Sequence, residues 1–329
     1  MIQTLKNTAL AWAHHAKMLN NHVSDIRKSV RRATFFEGFE DIDYYHPSEH
    51  YQTKIQIMDV RPDQVVKLYN GDSTTILNCG SFSRPGGKYM HGDNNDEARL
   101  CRVSTLYEVL KEFTPYYRNN DKYRNDGLFY NTGIFTPSIL FDGASCNVLT
   151  VAVPDFYEWR DARRNMDLPS YLVTERNKEA VKERIDFILG ILRFMGQRNI
   201  IIGAYGCDMQ SPLTVASHFK QLLETKYMGV FENVIFSISD SKNLEGFKYI
   251  FGKNGNFYGQ EYSLYDISWT TPDGVVHTKV AAYNQDDAMS SSLQLVIKKG
   301  YKYEDVQVHD IVQFDNRMYL TPEQVARKL

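Results

Sequence analysis

Apolar positions recur at helical spacing, every three or four residues, along Ala9–Ala33, where Ala9, Ala13, Ala16, Met18, Val23, Ile26 and Val30 alternate with Lys and Arg. The pattern predicts amphipathic surface helices packed on something downstream. Short β-like runs follow at Lys54–Val60 and Thr74–Asn78, and the Gly/Pro-punctuated stretch Cys79–Gly92 reads as a loop. From Asn95 the period becomes helical again through Leu100, Val103, Leu106, Leu110 and Phe113, with Asp93, Asn94 and Asn95 available as caps and Pro115 as the stop. After a Tyr- and Asn-rich excursion from Tyr116 to Ser145, the run Asn147–Val153 has the β-branched character of a buried strand. Residues 155–180 are charged and irregular and read as a surface insertion. Val181–Met195 predicts a helix, Asn199–Ile202 a strand, 212–227 a helix and Val234–Ile238 a strand. This alternation implies an α/β domain whose helices cover a sheet. Beyond Gly252 the pattern shortens to alternating runs such as Val275–Ala281 and Leu293–Ile297, with the turn Thr271-Pro272-Asp273-Gly274 between strands.

Composition narrows the class. Hydrophobic residues make up 43% and charged residues 24% of the 329, and no window is apolar enough for a membrane span. Lys+Arg of 38 against Asp+Glu of 40 gives a net charge of −2, so no global basic field advertises nucleic acid, although a local patch stays open. Cys79, Cys101, Cys146 and Cys207 form no CxxC pair, which argues against a zinc ribbon or a disulfide scaffold and for reduced thiols in a cytoplasm. The first residues lack the pattern of a secretory leader. No metal site and no cofactor are expected.

In an open α/β sheet, ligands bind beyond the carboxyl ends of the strands. Two loops there are glycine-rich. Gly203-Ala204-Tyr205-Gly206-Cys207 leads into a helix marked by Ser211 and Pro212, an arrangement suited to an anion but equally to a plain strand-to-helix turn. Arg84-Pro85-Gly86-Gly87-Lys88 precedes Asp93, Asp96 and Glu97, carboxylates that could hold ribose hydroxyls or transfer protons, or could simply stabilise a helix start. His91 has no second ligand at metal spacing. His14 and His15 are expected to face solvent, Cys101 to be a core thiol, and Cys207 to be a nucleophile only beside a base. Tyr116, Tyr117 and Tyr123 fit either base stacking or a packed flap.

NCGSFSRPGGKYMHGDNNDEARLCRVSTLY, from Asn78 to Tyr107, resembles the signature of the microbial-type poly(ADP-ribose) glycohydrolases, macrodomain enzymes with the pattern N-x-A-S-x-x-N-P-G-G-G, a spacer, Q-E-E and then L-C-R-x-S-x-L-Y. NVLTVAVPDF resembles that family's next central strand, IIIGAYGCDM its diphosphate-binding segment and FENVIFSISD its closing strand. The likeness spans Ile26–Phe251. It implies a three-layer α/β/α macrodomain-like mixed sheet over 1–254, including N-terminal helices, with a small β-rich accessory module at 255–329.

The resemblance further implies that Asn78 contacts the distal ribose, that Gly86 and Gly87 wrap it, and that Gly203, Ala204, Tyr205, Gly206, Cys207, Asp208 and Gln210 line the ligand's phosphate end. Asp96 and Glu97 stand where the family has Gln and its first Glu, so Glu97 is expected to hold the ribose. The family's second Glu is the catalytic acid, and its position here is Ala98. Lys88, Asp208 and Gln210 also depart from the pattern, replacing two glycines and an aromatic residue. The implied activity is release of ADP-ribose from a modified protein or nucleic acid, crippled by an alanine at 98 that is either engineered or natural. Alternatives are a non-catalytic ADP-ribose reader or nucleotide-signal sink, and altered chemistry carried by Glu97 or Asp96. A last one is a nucleic-acid-processing factor gripping a strand through Lys298, Lys299, Tyr301 and Tyr303.

Overall fold

The computed structural model describes residues 2–42, 51–122, 124–156, 170–252, 261–282 and 285–319. The expectations at Tyr123 and over 157–169 lie outside them. The chain divides into two compact units, Met1–Asn165 with Asn177–Tyr249, and Met166–Arg176 with Ile250–Leu329.

The larger unit is built on a seven-stranded sheet. Its strands are β1 (Thr34–Phe36), β2 (Lys54–Met58), β3 (Gly71–Cys79), β4 (Gly133–Phe141), β5 (Ala144–Val151), β6 (Asn199–Ile202) and β7 (Asn233–Ser237), in the order β1-β4-β5-β3-β6-β7-β2. The run β5-β3-β6-β7-β2 is parallel, and β4 and β1 continue it antiparallel. Central strands of this kind are covered on both faces, which is why they read as continuous apolar runs. One face carries α1 (Ile2–Arg32), α2 (Pro62–Val65), α3 (Asp96–Arg102), α4 (Leu106–Leu110) and α5 (Thr114–Lys122), whose apolar side chains join Ile76, Val148, Ile201 and Ile235 in one core. The other face carries α6 (Ser170–Phe194), α7 (Pro212–Glu224) and α8 (Ser241–Phe251), and Phe236 of β7 packs edge-on to Phe219 and tilted against Phe247. The three-layer mixed sheet expected from the sequence is thus the observed architecture.

Several boundaries differ from expectation. The helix read from Asn95 to Phe113 is broken at 103–105, where the Ser104 backbone bridges to Phe141 and its carbonyl accepts a bond from His14 Nε2 at 3.0 Å. Pro115 opens α5 instead of ending a helix, as a first-turn proline can. His14 and His15 point inward, His15 bonding the buried carboxylate of Glu108. The Tyr- and Asn-rich excursion contains β4, disguised by Pro137 and by a bulge at Ser138 (φ 53°), whose N–H donates to Asn147 Oδ1 at 3.1 Å. Tyr116 and Tyr117 are core residues, not a flap. Helix α6 begins at Ser170, inside the segment read as an irregular insertion.

The smaller unit contains the antiparallel sheet β10-β8-β9, formed by β8 (Glu261–Thr271), β9 (Gly274–Ala282) and β10 (Gln307–Tyr319), with α9 (Gln285–Lys298) on one face. Leu293–Ile297 is therefore helical: Ala288, Leu293 and Val296 meet Ile267, Trp269 and Val280, and Trp269 Nε1 donates to Ser292 Oγ at 2.6 Å. Lys298 ends this helix and Lys299 follows it, so neither lies on a strand.

Arg184 locks the ends of several elements together. It is almost fully buried and donates to the carbonyls of Ala152 (2.6 Å), Leu128 (3.1 Å) and Phe129 (3.2 Å) and to Asn131 Oδ1 (2.7 Å). Arg184→Ala would orphan those buried acceptors and leave a void. We expect a loss of about 3 kcal/mol in chemical denaturation, with a matching fall in Tm.

Candidate active site

The loops after β2, β3, β5 and β6 converge at the carboxyl ends of the parallel strands around a cavity of about 210 Å³. Leu77 and Cys79 form its floor, Asn95, Asp96, Glu97, Arg99 and Leu100 one wall, Gly203–Gly206 with Asp208 and Met209 another, and Arg61, Pro62 and Asp63 part of the rim.

Glu97 is the group with unusual chemistry. It sits in the first turn of α3, started by Asn95, whose Oδ1 accepts from the Ala98 N–H at 2.8 Å. Its side chain lines the cavity yet is only 2% exposed. Oε2 accepts from the Ser81 N–H at 2.7 Å and Oε1 from Asn78 Nδ2 at 3.3 Å. Asn78 is itself placed by register: it faces Thr150 across the β3–β5 ladder and donates to Thr150 Oγ1 at 3.2 Å. Burial pushes the Glu97 carboxyl up from 4.5 to about 7, while the donors from Ser81, Asn78 and the Gly86 backbone pull the other way. A carboxyl group in that range is present in both protonation states near neutral pH, as a general acid requires. The Asn78 Oδ1 is buried without a partner among the described residues and adjoins this carboxyl.

The glycine loop closes over the acid from behind. Gly86 (φ 66°) and Gly87 (φ 57°) are left-handed, and a Cβ on Gly87 would stand 3.0 Å from Glu97 Oε2, one on Gly86 2.8 Å from the Tyr107 ring. Neither glycine lines the cavity, so they shape the pocket through Glu97 and Tyr107.

The remaining expected residues divide. Gly203, Ala204, Tyr205, Gly206, Asp208 and Asp96 line the cavity. Ala98 does not: it has no exposed surface and packs in the core with Tyr89, Leu100 and Cys101. Cys207 and Gln210 also lie off the lining; burial pushes the Cys207 thiol up to about 12, which leaves it without a nucleophile's character, and both polar ends of the Gln210 amide are buried without partners among the described residues. In the 203–210 turn the N–H groups of Cys207, Met209 and Gln210 donate to carbonyls of the same turn, whereas those of Tyr205, Gly206 and Asp208 have no acceptor among the described residues. Ser211 Oγ accepts from Thr214 N at 3.2 Å and so occupies one donor of the α7 start. Tyr205 OH donates to the Ala152 carbonyl that Arg184 also holds.

Sequence reasoning missed Arg61, Pro62 and Asp63, which reach the site from the far side of the sheet through β2, and Ser81 and Thr150, which act on Glu97 and Asn78. Pro62 before an acidic residue marks a helix start and was the available signal. Both arginines at the cavity are engaged, Arg61 Nε with Asp63 at 3.1 Å and Arg99 with Asp96 at 3.0 Å. Among the described residues no group of His, Cys, Asp and Glu is arranged to hold a metal ion.

Residues 9–141 match the model of the microbial-type PARG catalytic domain. Among solved structures, the poly(ADP-ribose) glycohydrolase of Thermomonospora curvata is 20% identical, with a TM-score of 0.63 over 74% of this chain and 98% of that one. The Deinococcus radiodurans enzyme in complex with ADP-ribose is 23% identical, with a TM-score of 0.59 over 70% and 98%. A further T. curvata structure, bound to the inhibitor ADP-HPD, is 21% identical with a TM-score of 0.62 over 74% and 98%. No curated protein matches the chain. The resemblance read from Asn78–Tyr107 therefore stands, and the fold is that of the bacterial poly(ADP-ribose) glycohydrolases.

Because the folded Glu97 holds its proton above the pH at which the unfolded chain releases it, folding is favoured at low pH and disfavoured on ionisation. Stability should decline between about pH 4.5 and about pH 7 by about 3 kcal/mol from this group, and the decline should flatten in Glu97→Gln, as followed by urea titration across pH. Gly87→Ala, which strains a left-handed backbone and crowds Glu97, should cost about 1–3 kcal/mol in the same assay.

Proposed function

Proceeding from a chain that shares the fold of bacterial poly(ADP-ribose) glycohydrolases and their catalytic-domain signature over residues 9–141, we propose that it is an ADP-ribosyl glycohydrolase whose proton donor is Glu97. The observation that carries this reading is the buried, cavity-lining carboxyl of Glu97, raised to about 7. The ligand's distal ribose lies in the cavity beside Glu97, which Asn78, itself fully buried and off the lining, holds from behind, and its phosphates lie along the turn 203–208, whose open N–H groups face an anion. Protonated Glu97 gives its proton to the leaving oxygen as the C1–O bond opens through an oxocarbenium-like state. The resulting carboxylate then takes a proton from the water that adds to C1, which restores the acid.

Residues 1–254 constitute the ligand-binding domain and 255–329 an accessory module. Four free thiols suit a reducing cytoplasm, and no described helix is long and apolar enough to cross a membrane. The modified target is an ADP-ribosylated protein or nucleic acid.

One observation favours a second reading, a non-catalytic ADP-ribose reader: the position of the family's acid is Ala98, a methyl group off the cavity. Release of ADP-ribose from an ADP-ribosylated protein separates the two. The glycohydrolase reading predicts turnover that falls as pH rises through about 7. It also predicts a loss on the order of 10²–10⁴-fold in Glu97→Gln, with ADP-ribose binding retained. Binding without turnover in the parent chain would establish the reader. Turnover restored to Glu97→Gln by adding Ala98→Glu would move the acid to residue 98.

A further inference from the structure

The cavity that would receive a diphosphate is not cationic. Its arginines, Arg61 and Arg99, are each engaged by a carboxylate of their own helix region, Asp63 and Asp96. Asp208 lines the same cavity from the turn that carries the open N–H groups, is exposed, and has no salt-bridge partner among the described residues. The carboxylates converge on the cavity floor: after burial, Glu97, Asp96 and Asp208, with Cys207 after them, raise the Cys79 thiol. Asp208 and Asp240 likewise act on Cys207. Backbone N–H groups therefore attract an anion to this turn while the Asp208 carboxylate repels it.

We propose that Asp208 is a specificity-determining residue that selects against negative charge at the 203–208 turn. The inference rests on the proposed ADP-ribose-type ligand and adds the charge that ligand can carry there. A pyrophosphate carries a negative charge on each of its two phosphate groups, next to the Asp208 carboxylate that lines the same cavity. A ligand with a single esterified phosphate, or a riboside with none, escapes most of that repulsion. ADP-ribose is accordingly bound below the affinity that the N–H groups alone would give.

Titration calorimetry of the full chain and of Asp208→Asn with ADP-ribose, and with adenosine as the uncharged probe, tests this. The substitution keeps the side chain's shape and removes its charge, and the site's exposure spares the fold. The expected result is ADP-ribose affinity tightened about tenfold at low salt, a gain that shrinks towards 1 M salt, and adenosine binding unchanged. Equal affinity of both chains for ADP-ribose would overturn the role of Asp208 while leaving the ADP-ribose reading intact. A gain shared by adenosine would make the effect steric and overturn it too. Failure of both chains to bind ADP-ribose would overturn the ligand reading and this inference with it.

Discussion

A carboxyl group removed from water must either be surrounded by donors or keep its proton, and Glu97 is held between those alternatives. Much of the local structure can be traced to that requirement. The Ser81 N–H and the Asn78 amide come from the end of β3, the Gly86 and Gly87 backbone encloses the group, and Asn95 starts the helix that carries it. Each donor stabilises the ionised form, yet together they do not offset the loss of solvent, so the proton stays available near neutrality. A more open site would return the group to the ordinary carboxylate range and remove its use as an acid.

The sheet makes this arrangement rigid. Strand β3 is flanked by β5 along its carboxyl end, Asn78 and Cys79, and by β6 over Thr74–Ile76, so it cannot slip without breaking two parallel ladders. The register that sets Asn78 opposite Thr150 also sets Thr75 opposite Asn147 and Ile200. At the amino ends of the strands a buried network holds that register, in which Gln197 Oε1 accepts from Thr75 Oγ1 at 2.7 Å and from Asn147 Nδ2 at 2.8 Å. Arg184 and Tyr205 both bind the Ala152 carbonyl and thereby link the loop after β5 to the turn after β6. Chemistry at one end of the sheet rests on polar ties at both ends.

The sequence was informative where one physical signal dominated. Asn147–Val153 and Asn199–Ile202 read as strands because central parallel strands are apolar on both faces, whereas the glycine loop, Asn78 and Glu97 were marked as a site only by the resemblance of Asn78–Tyr107 to a family signature. It misled where tertiary structure overrode local pattern. Apolar spacing ran unbroken from Leu100 to Phe113, although Ser104 leaves the helix to meet Phe141 and His14. Pro137 hid β4, because the bulge that accommodates it depends on Asn147, on another strand. Ala98 was read as a site position from its motif, but adjacent helical residues point about 100° apart, so Glu97 can face the cavity while Ala98 faces the core. Arg61 to Asp63 reach the cavity only through the crossover order of the sheet, which no local window reveals.

The central claim is that Glu97 keeps its proton to near neutral pH because it is buried against too few donors. A carbon-13 NMR titration of the Glu97 carboxyl in the intact chain, assigned by its loss in Glu97→Gln, tests that directly. The account predicts a midpoint at about 7. A midpoint near 4.5, the ordinary value for a glutamate, would contradict it and leave the cavity without its proton donor.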